Sequence, residues 1–193
     1  GVDKDGKEWY QITLGGAANA YAVINWGGNA AAIAAEVTNP FGFNIGSAGK
    51  LTFTSTGGTA NAAVLNIDAS GNPSQIFGQL ESSTVGGGVA PSMFIANGNG
   101  IVVGAGGRIA APNGVGLIGA NMNNATARFD FVGNNSSGTS YVDVTTGQST
   151  VTINGAINGS LTTNTPAVYV LLAGGDIVNT GNIFSNYTYA LAG

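Results

Sequence analysis

Two short stretches of this chain share one template. Residues 45–51 read IGSAGKL and residues 103–109 read VGAGGRI: apolar, Gly, two small residues, Gly, a base, apolar. A second pair, VTINGAI (151–157) and IVNTGNI (177–183), matches at Val151/Ile177, Gly155/Gly181 and Ile157/Ile183. Internal repetition constrains a fold more than any single motif, because each copy must suit equivalent surroundings. The copies drift in register and length, which excludes a strict short-period solenoid and fits a stack of rungs of about 20–25 residues each. Rungs of that size, spaced ~4.8 Å apart, predict roughly eight turns and a rod of order 40 Å.

The residues between the repeats agree. From about Phe41 onward the chain consists of short apolar runs such as GKLTFTS, STVTINGAI and AVYVLLAGGDIV, broken by Gly and Asn every few residues. Val, Ile, Thr and aromatic residues favour strands, while Gly and Asn tolerate tight corners. The expected fold is all-β, a right-handed parallel β-helix forming one domain over residues 1–193. Residues 41–193 supply the rungs, and residues 1–40 hold extra N-terminal capping strands and an Ala-rich insertion. In the cap, VDKDGKEWYQITL reads as a hairpin turning at Asp5-Gly6, and GGNAAAIAAEVTNP (27–40) is the one helix-like segment. An antiparallel β-sandwich is the alternative, since turns every 8–12 residues also suit one.

Composition narrows the chemistry. Charged residues make up 7% of the 193, five of the fourteen fall in residues 3–8, and the net charge is −4. Only Lys50, Arg108 and Arg128 are basic after Lys7, too few for the basic patch that nucleic acid requires. No run of 18 apolar residues occurs, so a membrane helix is not expected. With no Cys and no His, disulfides, the commonest metal ligands and a Ser–His or Cys–His nucleophile are all excluded. The opening GVDKDGKEWY is charged where a secretory leader would be apolar, so the expectation is a mature or excised segment.

One stretch carries more polar side chains than a turn needs. AAVLNIDASGNPSQIFGQL (62–80) reads strand–turn–strand, yet places Asn66 before its turn and Ser74 and Gln75 after it. With AVINW (22–26), FNIGSAGKLTF (43–53), NGNGIVVGAGGRI (97–109) and YVLLAGGDIVNTGNI (169–183), it resembles, in order, the N-terminal secretion domain of two-partner-secretion exoproteins of the filamentous-haemagglutinin type. The resemblance spans most of residues 22–190. It implies a non-enzymatic domain at the front of a large surface adhesin or biofilm exoprotein. An outer-membrane β-barrel transporter with periplasmic repeats would recognise the domain and export it to the bacterial cell surface. The rest of the exoprotein would bind a host-cell or polysaccharide ligand.

By the same resemblance, Asn66, Asn72, Pro73, Ser74, Asn97, Asn99, Gly100 and Ile101 would form the transporter-recognition motif, and Asn25 and Trp26 a structural capping motif. Gly98 stands where the family has Pro. Residues 27–41 and 81–92 appear as insertions relative to the family. The competing class is a self-assembling structural or carbohydrate-binding β-solenoid.

Enzymatic readings find little support. Parallel β-helices also serve pectin-degrading enzymes, whose sites cluster carboxylates with Lys or Arg. The candidates here are Asp68, Glu81, Arg108, Arg128, Asp130, Asp143 and Asp176, with no paired signature beyond Arg128-x-Asp130, which reads as a structural salt bridge. DKDGKE (3–8) lacks the spacing of a calcium loop. The Asn-x-Ser/Thr matches at Asn124, Asn134, Asn135, Asn158 and Asn186 are what an Asn-rich chain yields by chance. Neither a metal nor a cofactor is expected.

Overall fold

The computed structural model describes residues 8–15, 18–27, 42–122 and 149–193. Every regular element among them is a β-strand, and every strand pairing is parallel, which overturns the antiparallel sandwich. The strands fall into three sheets. The first stacks β1 (Glu8–Leu14), β4 (Gly49–Ser55), β7 (Gln79–Thr84), β10 (Arg108–Ala110), β13 (Ala156–Asn158) and β16 (Asn182–Ile183). The second stacks β2 (Asn19–Trp26), β5 (Asn61–Asp68), β8 (Ser92–Ala96), β11 (Val115–Ile118), β14 (Ala167–Gly174) and β17 (Ser185–Ala192). The third stacks β3 (Asn44–Ile45), β6 (Ser74–Ile76), β9 (Ile101–Val103), β12 (Val151–Ile153) and β15 (Ile177–Asn179). Successive strands visit the three sheets in turn, so the chain winds as a parallel β-helix. At the N-terminal end β1 and β2 form the first rung, in parallel register with β4 and β5.

Among the described residues five turns carry three strands and a sixth carries two, against the eight expected. The rungs vary in length: Lys50 pairs with Gln79 and Gln79 with Arg108, an offset of 29 residues each time, whereas Met93 pairs with Val115 at an offset of 22. Farther along the same sheet Arg108 pairs with Ala156, 48 residues on. The rod is correspondingly shorter, about 24 Å over five inter-rung steps. Residues 81–92 finish β7, turn and enter β8. The hairpin turn at Asp5-Gly6 and the helix-like 28–40 lie outside the described residues.

Both sequence repeats are rung repeats. Val151 pairs with Ile177 and Ile157 with Ile183, one turn apart, while IGSAGKL and VGAGGRI lie two turns apart at the same corner. In both copies the corner closes by a turn bond, Gly49 N–H to Gly46 O and Gly107 N–H to Gly104 O, each 2.8 Å. At Gly107, though not at Gly49, the second Gly is required by close approach to the rung before it. A Cβ on Gly78, Gly107, Gly155 or Gly181 would strike a backbone carbonyl oxygen of the preceding rung.

Apolar columns fill the interior. Leu51, Leu80, Ile109 and Ile157 stack on the first sheet, Val64, Met93, Val115 and Val170 on the second, and Ile45, Ile76, Val103 and Ile153 on the third. Nearly all are fully buried, each worth about 1.5–3 kcal/mol of apolar transfer. A second apolar cluster lies on the opposite face of the second sheet, built from Ala63, Leu65, Ile67, Ala96, Ile118 and Ala120. Strand alternation explains the division: Val64 points in, Leu65 and Ile67 point out, and Asn66 points in.

Candidate functional site

The corner between the second and third sheets collects most of the motif residues. One step beyond the Ile67–Ala96 pair, Asp68 and Asn97 occupy equivalent corner positions in adjacent rungs. Both are buried, and so is Ser74 between them. Ser74 Oγ donates to Asp68 Oδ2 at 2.7 Å and accepts from Asn97 Nδ2 at 2.9 Å. Asn97 Nδ2 also donates to Asn72 O at 2.8 Å, while its Oδ1 accepts the Asn99 N–H at 2.7 Å. The Ser74 N–H donates to Gly100 O at 3.0 Å, which ties the two rungs through backbone as well. Gly100 sits at φ +108°, a conformation that disfavours a side chain.

Asp68 is the hub. Its carboxylate accepts from Phe43 N–H at 2.8 Å, from Ser70 N–H at 3.0 Å and from the Ser74 hydroxyl. A buried carboxylate persists only when hydrogen bonds replace its lost hydration, and three donors do so here. That occupancy fits Asp68 to holding loops together. Two residues earlier on the same strand, Asn66 accepts from Trp26 Nε1 at 3.0 Å and donates to Phe94 O at 3.1 Å, fully buried in the apolar interior. The Trp26 ring meets Phe43 edge-on, centroids 5.2 Å apart. Trp26 and the β5 strand that leads into the corner are thus joined directly through Asn66, although Asn25 beside Trp26 is exposed.

The motif therefore divides by exposure. Asn66, Ser74, Asn97, Gly100 and Ile101 are buried, whereas Asn72, Pro73 and Asn99 face solvent at one corner on two adjacent rungs. At Gly98, a Cβ would meet the end of the exposed Asn121 side chain, which would have to swing aside. Sequence reasoning missed three partners of the network: Phe43 through its N–H, Asp68 as hub, and Ser149, whose hydroxyl is shared between Asn97 O and Gly119 O. Only Asp68 left a signal, an acid followed by Ser, Gly and Asn in a turn.

The acid–base candidates are scattered. Glu81 pairs with Lys50 at 2.8 Å on the outer face of the first sheet, and the Arg108 guanidinium donates to Leu161 O at 2.8 Å. Asp176 lies exposed in the turn between β14 and β15. Arg128, Asp130 and Asp143 lie outside the described residues, as do residues 3–7 and Asn124, Asn134 and Asn135. Asn158 uses its Oδ1 on Ser160 N–H at 3.2 Å, and Asn186 lies on exposed β17. No group of three or more potential metal ligands occurs among the described residues.

Fold and corner together define a parallel β-solenoid with a buried polar ladder at one edge. No family model matches the chain, and neither a curated protein nor a solved structure matches it.

Proposed function

We propose that this chain is the secretion-targeting domain of a large surface exoprotein, non-enzymatic, recognised in the periplasm by an outer-membrane β-barrel transporter and carried to the cell surface. The observation that carries the reading is the division at the corner. Asn66, Ser74 and Asn97 are buried once the rungs stack, so a partner that reads these side chains meets them only on an unfolded or partly folded chain. Folding outside the membrane then withdraws the recognised groups and buries the apolar columns, which opposes return. Asn72, Pro73 and Asn99 stay exposed in both states.

The test separates recognition from stability. Asn97→Ala removes four hydrogen bonds around a buried site and should cost about 1–3 kcal/mol. Asn72→Ala and Asn99→Ala alter exposed side chains and should stay within about 0.5 kcal/mol. The secreted fraction is measured in cells carrying the cognate transporter, with melting temperatures of the purified variants alongside. Secretion should fall severalfold for the exposed-site double variant at unchanged melting temperature. Secretion that merely tracks stability across the set would leave the corner with a structural role alone.

A further inference from the structure

A shallow groove of about 340 Å³ runs along the outer surface of the second sheet, beside its corner with the first. It crosses five rungs: Tyr21 on β2, Asn61 and Ala63 on β5, Ser92 on β8, Asn113 just before β11, and Tyr169 on β14. Four inter-rung steps give it a length of about 19 Å. Its middle is floored by small residues, since Ala63 pairs with Ser92 in the ladder, and a tyrosine stands near each end. Tyr169 tilts against Phe94, ring centroids 6.4 Å apart, and its hydroxyl bonds the Ser92 side chain.

The lining sets the chemistry of an occupant. None of the described residues around the groove is charged, which gives neither an acidic glycan nor a nucleic acid a counter-charge. The strands cross beneath it at right angles, and β5, β8, β11 and β14 each have strand neighbours on both sides. No ladder edge is therefore open there to an extended peptide. What the groove does offer is amide and hydroxyl groups beside aromatic rings. Asn61 Nδ2 donates to Asn19 Oδ1 at 2.9 Å and Asn113 Nδ2 to Ala90 O at 2.7 Å. A carboxamide has two N–H donors and two acceptor sites, so each keeps hydrogen-bonding capacity while held in place. Rings with apolar C–H faces and hydroxyl rims match this mixture: the faces pack on tyrosine and the rims bond amides.

We propose that the groove binds a linear neutral oligosaccharide, lying along the rod axis with successive sugars over successive rungs. The site is independent of the export reading: it lies on a different corner and uses none of the motif residues.

The purified 193-residue chain is titrated calorimetrically with cellohexaose and with N-acetylchitohexaose, beside hexagalacturonate and an uncharged Gly-Ser hexapeptide. Binding of at least one neutral hexaose is expected, without binding of the acidic sugar or the peptide. Asn61 and Val168 are exposed at the rim, so Asn61→Ala and Val168→Arg should leave the melting temperature unchanged. Each should weaken that binding roughly tenfold or more. Absence of heat with both hexaoses at millimolar concentration overturns the proposal. So does binding that neither variant alters, or tighter binding of the galacturonate or the peptide.

Discussion

At the scale of single residues, the stretch 64–68 reverses the usual assignment of inside and outside. Val64 enters the main core, but Leu65 and Ile67 build a second apolar cluster on the other face, and Asn66 and Asp68 point inward. Apolar side chains on both faces read as a continuous hydrophobic run, and such a run does not reveal which polar residue takes an interior place. The strand, turn and strand that carry these residues were legible in the sequence. Their orientation was not, because it depends on bonds to Trp26, Phe43 and Phe94 in neighbouring turns. Tyr169 supplies a pH test at this scale. Burial raises its phenol above the ordinary 10.0, and the hydrogen bond to Ser92 partly opposes the rise. The folded chain therefore holds this proton more tightly than the unfolded one. The associated stability is complete below about pH 10 and is lost as pH climbs through the folded value. Denaturant melts at rising alkaline pH should show a shallower decline for Tyr169→Phe than for the parent. Equal slopes would remove Tyr169 from the account.

At the scale of the element, corners govern more than strands do. The strands of the third sheet are two or three residues long and would not hold alone. They persist because every rung repeats the same turn above a carbonyl of the rung before it. The recurrent glycines were legible in the sequence for that reason: one steric constraint, met once per turn, writes the same residue each time. Gly107→Ala should cost about 1–3 kcal/mol by overpacking against Ile76 O. Gly106→Ala is the control, since its Cβ would meet Phe77 O at an ordinary 3.7 Å and should change stability by less than about 0.5 kcal/mol. Chemical denaturation of the two variants decides; equal losses would mean that glycine matters there for backbone freedom and not for rung spacing.

At the scale of the whole molecule, the two ends of the rod differ. β1 begins with the charged Glu8, whereas β17 is uncharged. Among the described residues β17 has a strand neighbour on one side only, and Tyr187, Tyr189 and Leu191 stand more than half exposed. A long apolar edge without charge templates further pairing. Light scattering of the purified chain should therefore rise with concentration, and Tyr189→Lys should suppress the rise at unchanged melting temperature. A chain that stays monomeric at millimolar concentration would refute this. The sequence by itself determined that strands would form, that glycine and asparagine would turn them, and that the turns would repeat, because these follow from local sterics and hydrophobicity. Only the tertiary structure decided the number of rungs, the burial of Asn66, Asp68 and Asn97, and the groove across five turns. Those depend on which distant residues become neighbours, at offsets that range from 18 residues between β14 and β17 to 55 between β11 and β14.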